Sequence, residues 1–194
     1  MKKKILSLLI IMAIFISCDS VQKSLSGTYN MINCEYNYKS ISGLTVSGIN
    51  LSNGLSVTSI PKVTSILSGN ASSIPLNFTL NLDVKNPNTS AAMMNGLQYI
   101  ISVDDIQLTT GSLNQALSVE AGQTRTLPIA IGVDLATLMK NNSKDAVVNI
   151  AKNFIGIGNK ESKVFVQLKP TFLIGNVPIT SPSYIPLVFN FGGN

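Results

Sequence analysis

Leu76-Asn77-Phe78-Thr79-Leu80-Asn81-Leu82-Asp83-Val84-Lys85 separates cleanly into two sets. Leu76, Phe78, Leu80, Leu82 and Val84 take one set of alternate positions, and Asn77, Thr79, Asn81, Asp83 and Lys85 take the other. Successive strand side chains point to opposite faces, so this stretch is a strand with one face in a core and one in water. It stops at Asn86-Pro87-Asn88. Proline cannot continue a ladder there, and asparagine favours an Asx-type turn.

The same period recurs downstream. Leu97, Tyr99, Ile101 and Val103 alternate with Gln98, Ile100, Ser102 and Asp104. Ile106 and Leu108 make a short continuation before Gly111, and Leu117 and Val119 precede a turn at residues 120–123. Arg125, Leu127, Ile129, Ile131 and Val133 form another alternating set. Late strands are expected over 163–168, 171–174 and 185–191, the last with Ile185, Leu187, Phe189 and Phe191 on one face. Upstream, Ile41, Leu44, Val46, Ile49 and Leu51 suggest one or two strands, and Leu55, Val57 and Ile60 lead into Pro61.

One segment has a different period. Val147, Ile150, Ala151 and Phe154 lie at i, i+3, i+4 and i+7, an apolar helical stripe. Ser143 is placed to cap it, Asp145 suits its first turn, and Gly156 and Gly158 supply a stop. Residues 134–140 add another helical turn. The sum is an all-β antiparallel sandwich of roughly seven strands with one short crossover helix. Ile100, on the face opposite Tyr99, is expected to be buried under that helix rather than to line a ligand cavity.

The N-terminus is an address. Met1-Lys2-Lys3-Lys4 is a positive start, and Ile5 to Ile16 is an apolar or small run of 12 residues. That run suits a signal sequence and falls short of the ~20 residues of a spanning helix. Phe15-Ile16-Ser17-Cys18 resembles the lipobox of bacterial lipoproteins, with Phe15 where that pattern prefers leucine. This resemblance implies cleavage after residue 17 and acylation of Cys18, with palmitate-type chains as the membrane anchor. The organisation expected is a signal peptide over 1–17, a polar tether over 18–39 and a β-sandwich domain over 40–194. The domain is expected outside the cytoplasm, lipid-anchored in a bacterial cell envelope.

Composition narrows the chemistry. Charged residues are 12% of the 194, against about 25% in ordinary soluble domains. Of 14 basic residues, Lys2, Lys3 and Lys4 leave with the leader, so 11 face 9 acidic ones in the mature chain, a net charge of +2. The remainder, such as Lys23, Lys39, Lys62 and Lys85, are scattered, so the concentrated stripe that nucleic acid requires is missing. There is no histidine, which removes histidine-dependent triads and histidine-ligated metals. With Cys18 acylated, Cys34 has no intramolecular disulfide partner.

Candidate reactive groups each have a bland reading. Cys34 lacks a histidine base, with Lys39 the nearby cation, and is expected to be an inert thiol. Asp104-Asp105 would point to opposite faces of a strand and is expected to be solvated. Asp104, Asp105 and Cys34 accordingly count as exposed, dispensable polar positions. Gly156-Ile157-Gly158 follows a helix instead of opening one, so it is not a phosphate loop. No catalytic residue, cofactor or metal site is expected.

Leu80 to Asn88 resembles the signature strand of the second group of late embryogenesis abundant proteins, the water stress and hypersensitive response domain. That signature is an alternating apolar strand running into Asn-Pro-Asn, here Asn86, Pro87 and Asn88. An apolar-Tyr strand follows at 96–103, then a short strand and a glycine at 106–111, then a strand, a small-residue turn and a Thr-rich strand at 117–133. The resemblance covers about Ile41 to Phe191. It implies an immunoglobulin-like or fibronectin type III-like sandwich and a desiccation- or stress-related, non-enzymatic domain. The function expected is a structural or protective one, on a membrane held through Cys18, with lipid or envelope proteins as candidate partners. The alternative is a carrier that holds a lipid or other amphiphile inside the sandwich.

Overall fold

In a computed structural model of the chain, the described residues are 25–51, 58–174 and 176–192. Among them, in chain order, are helix α1 (residues 25–32), strands β1 (Glu35–Val46) and β2 (Ile49–Asn50), and helix α2 (Ser59–Ser68). Then come β3 (Pro75–Lys85), β4 (Ala92–Met94), β5 (Gly96–Val103), β6 (Ile106–Leu113), β7 (Leu117–Val119) and β8 (Thr124–Asp134). Helices α3 (Leu135–Asn141) and α4 (Lys144–Phe154) lead to β9 (Glu161–Ile174), β10 (Val177–Thr180) and β11 (Ile185–Gly192).

The strands form two main sheets, paired antiparallel throughout. One has the order β2-β1-β3-β8; the other runs β10-β9-β5-β6, with β11 also on β9. The short β4 and β7 pair with each other. This is the β-rich sandwich that the alternating pattern demands. Leu76, Phe78, Leu80, Leu82 and Val84 are all buried, as are Leu127, Ile129 and Ile131 beside them on β8. They share one core with Leu97, Ile101, Val166 and Leu168 of the other sheet. The Tyr99 hydroxyl reaches from β5 to the Ala130 carbonyl on β8 at 3.4 Å.

Helix α4 is capped by Ser143, whose Oγ accepts from the Ala146 amide, and it buries Val147, Ile150, Ala151 and Phe154. Phe154 lies between Phe78 and Phe191, with ring centroids 4.8 and 4.9 Å away. Asp134 caps α3 by accepting from the Ala136 and Thr137 amides. Together α3 and α4 carry the chain from β8 in one sheet to β9 in the other.

Four expectations change. Residues 25–39 are not a tether: α1 buries Met31, and β1 begins at Glu35, which pairs with Lys85. The alternation there is carried by Tyr36 and Tyr38, and register shifts at 38–40 and 42–45 break its period. Pro61 sits in the first turn of α2 instead of ending a strand, a place where its missing N–H costs little. Strand β9 runs unbroken through Pro170, because its outer neighbour changes there from β11, whose pairing ends at Leu168, to β10, whose pairing starts at Thr171. Ile100 is half-buried on the outer face of β5, beside Thr110 and Gln167, and not under α4. Leu55, Val57 and residues 1–17 lie outside the described residues.

Candidate functional site

The chain's most specific motif closes on itself. Asn86 follows the last residue of β3 and is fully buried. Its Nδ2 donates to the Ser90 carbonyl at 2.9 Å and the Val119 carbonyl at 2.8 Å. Its Oδ1 accepts from the Asn88 amide at 3.0 Å, the Asx turn that the sequence suggests, and from Asn88 Nδ2 at 2.8 Å. Its backbone amide donates to Gln123, and its carbonyl accepts from Gly122. Every polar group of this buried residue is therefore used, as burial requires.

The network extends to a partner the sequence does not announce. Asn88 Nδ2 also donates to the Asn30 carbonyl at 3.1 Å, and Asn30 Nδ2 donates to Ser90 Oγ at 2.8 Å and the Ala91 carbonyl at 3.1 Å. Asn30 is on α1, so three asparagines and one serine fasten α1, the end of β3, β4 and β7 together. A short helix whose buried side chains are Asn30, Met31 and its neighbour Cys34 has too weak an apolar period to be seen in sequence. Pro87 stays exposed between the two asparagines of the motif and ends the ladder.

Cys34 is buried and its thiol donates to the Asn30 carbonyl at 3.3 Å. Burial, and secondarily the Glu35 charge, push its pKa up to about 11. Such a thiol is a poor nucleophile at neutral pH. It is thus not an exposed position. Lys39 does not serve it either: its ammonium lies 3.0 Å from Asp83 Oδ1 and 2.6 Å from Thr126 Oγ1, tying β1, β3 and β8 on their outer face.

Asp104 and Asp105 form the β5–β6 turn, both with positive φ (48° and 65°), as a two-residue hairpin turn of the primed type requires. Asp104 is more than a solvated charge. Its Oδ2 accepts from Ser162 Oγ at 2.7 Å and its Oδ1 from the Lys163 amide at 2.8 Å. Buried Ser162 in turn accepts from Asn153 Nδ2. Gly158 lies so close to the Asn153 amide that a β-carbon would overlap it. Asp104, Asn153 and Gly158 border a surface cleft of about 700 Å³ with Lys152, Lys160 and Glu161. A second cleft, of about 440 Å³, lies at the other end of β5 between Thr28, Met93, Leu117 and Leu173. No group of three acidic, cysteine or histidine residues placed to hold a metal is found among the described residues. No described helix is long and apolar enough to cross a membrane. Cys18 lies outside the described residues.

The late embryogenesis abundant protein family matches residues 81–181, just over half of the chain, from the middle of β3 to the end of β10. The chain belongs to that family. No curated protein matches it in sequence. Three solved structures align with the chain at low identity. A protein from Archaeoglobus fulgidus is 14% identical, with 81% of this chain and 98% of that one covered and a TM-score of 0.39. A protein from Arabidopsis thaliana is 12% identical, with 80% and 79% covered and a TM-score of 0.46. A putative late embryogenesis abundant protein is 12% identical, with 95% and 88% covered and a TM-score of 0.40.

Proposed function

We propose that the chain is a bacterial lipoprotein, held on an envelope membrane by acylated Cys18, whose late embryogenesis abundant domain acts as a non-catalytic, stress-protective scaffold. The observation that carries the scaffold reading is the state of Asn86. The family's signature amide is wholly buried, with both donors and its acceptor spent on Ser90, Val119 and Asn88. A signature residue consumed in this way holds strands together and offers nothing to a substrate. Cys34, with its raised pKa, and Asp104, engaged by Ser162 and Lys163, point the same way. The anchor rests on Lys2 to Lys4, the apolar run that follows and Ser17-Cys18. Multiple acyl chains make such attachment stable. A carrier would need a continuous internal cavity. The two clefts above lie at the ends of β5, and buried side chains of both sheets meet between them, which favours the scaffold.

The test uses the full chain in a bacterial host. Intact mass and detergent-phase partitioning are compared for the wild type and Cys18→Ser. An acyl mass increment and membrane partitioning, both lost in the variant, are expected. Identical mass and partitioning would overturn the anchor. Leakage of a trapped dye from dried and rehydrated phospholipid vesicles, with and without the protein, reads protection. Unchanged leakage would overturn the protective role.

A further inference from the structure

We propose that the end of the sandwich carrying α1 is a bilayer-contact surface, with α1 lying in the headgroup region of the membrane that holds the anchor. This rests on the reading of Cys18 as the acylated residue. Leu25, Tyr29 and Ile32 lie at i, i+4 and i+7, one stripe of α1. They are 49%, 68% and 40% exposed. The rest of the helix is held by the domain: Met31 is buried, Asn30 is fastened to Ser90, and Gly27 packs on Met93. A soluble domain normally turns polar residues outward from such a helix. Here Leu25, Tyr29 and Ile32 face outward beside exposed Ser26 and Asn33, and residues 25–34 contain no charged side chain.

The surroundings continue the pattern. The cleft that Thr28 of α1 shares with Leu173 of β9 is lined wholly by uncharged residues. Leu173 is 39% exposed, and Val177 and Ile179, across the β9–β10 turn, are 61% and 45% exposed. From Pro170 onward the sequence has no charged residue. The other end of β5, about 25 Å away at ~3.4 Å per residue, carries Asp104, Lys152, Lys160 and Glu161. The α1 stripe and the neighbouring cleft are therefore an uncharged patch, and the charges beside it, Glu35 and Lys85, pair with each other at 3.1 Å on β1 and β3.

The length of chain outside the described residues says what meets this uncharged patch. Leu25 comes only seven residues after Cys18, so even a fully extended connection is about 25 Å long. An anchored domain cannot hold α1 far from the bilayer. The headgroup boundary accepts apolar side chains and tyrosine, and an uncharged helix enters it without desolvating an ion. The cleft bordered by Asp104, Lys152, Lys160 and Glu161 then faces away from the membrane.

The chain lacks tryptophan, so Tyr29→Trp gives a single fluorescent reporter. Asn149→Trp, on the exposed face of α4, is the control at the Asp104 cleft. Each acylated full-length protein is placed in vesicles of phosphatidylethanolamine and phosphatidylglycerol, part of whose acyl chains are brominated. Quenching of the Tyr29→Trp reporter is expected to exceed that of the control about fivefold, since interfacial helices sit some 5–10 Å into the boundary. Adding Leu25→Asn and Ile32→Asn should abolish the difference while circular dichroism stays unchanged. Equal quenching of the two reporters would overturn the proposal. So would a Tyr29→Trp reporter shielded in a lipid-free dimer seen by sedimentation, which would make the face a contact between copies. Intact mass reports the acyl group separately. If it is absent the lipoprotein reading fails, and the same quenching ratio with vesicles in excess still decides the surface.

Discussion

The ring of Tyr99 lies across Gly111, its direct partner in the β5–β6 ladder. A β-carbon at Gly111 would fall on the ring and its hydroxyl. The same hydroxyl reaches the Ala130 carbonyl of β8. One side chain thus crosses from one sheet to the other, and it needs a partner without a side chain to do so. An aromatic ring over a glycine on a neighbouring strand also restores the apolar cover that glycine lacks. The tyrosine strand and the glycine that follows it, separate features in sequence, are one packing unit.

Gly111→Ala should therefore destabilise the domain by about 2 kcal/mol, the usual range for overpacking. Tyr99→Leu shortens the overlapping side chain. In the double variant the alanine should cost much less than it does alone, a coupling between contacting residues. Urea unfolding of the two single variants and the double one reads this. Strict additivity would show that the ring does not set the requirement for glycine.

Asn86→Ala leaves the buried Val119 carbonyl without its side-chain donor and unhooks Asn88. The expected loss is about 2–3 kcal/mol, the cost of an orphaned buried polar group added to that of a lost bond. Asn86→Asp keeps the shape but replaces that donor with a carboxylate oxygen, an acceptor facing the Ser90 and Val119 carbonyls, so it should lose more at neutral pH. A loss under about 0.5 kcal/mol, the surface range, would remove Asn86 from the framework.

Stability should also fall at high pH. Burial raises Cys34 from its ordinary 9.0 to about 11, so the folded state holds this proton more tightly than the unfolded chain. Its contribution is full below pH 9 and is lost as pH rises through about 11. Tyr36, half-buried and donating to the Met31 carbonyl at 2.8 Å, is raised mainly by the same desolvation and adds to the loss. Urea midpoints measured between pH 8 and 11 should drop, and less steeply in Cys34→Ala. A flat profile would mean that residues 25–36 are not docked on the domain as described.

The β3 alternation is legible because both its faces obey one rule over ten residues. So are β5, β8 and α4, where the apolar period and the Ser143 cap agree. Strand β1 is obscured by its own irregularity. Tyr36 and Tyr38 carry its inner face, and two register shifts then move the period. Helix α1 is held by asparagine hydrogen bonds more than by an apolar stripe, and its stripe faces outward. Asn86, Pro87 and Asn88 are conspicuous in sequence, but Asn30, which completes their network, is 56 residues before Asn86. The Asp104–Ser162–Asn153 chain is invisible for the same reason, since three distant segments must fold before it exists.

The scaffold reading makes a quantitative demand on variants. If the domain protects by being folded and anchored, loss of vesicle protection should track loss of stability along a single curve. Leu82→Ala, at a fully buried position, should cost about 2–5 kcal/mol and sit at the low end of protection. Asn81 is half-buried, and its Nδ2 donates to Ser40 and Ser42 on β1 at 3.2 and 3.0 Å. Asn81→Ala should then cost about 1 kcal/mol, a typical net hydrogen-bond value, and sit in the middle. Asp105→Asn changes an exposed turn residue and should sit with the wild type. An enzyme would break this ordering, because one catalytic side chain carries orders of magnitude in rate while contributing little to stability. The measurement pairs urea unfolding with dye leakage for every variant, including exposed-charge changes such as Glu161→Gln. A variant with wild-type unfolding and no protection would lie off the curve and mark a working site. With every variant on the curve, the folded sandwich itself is the working part.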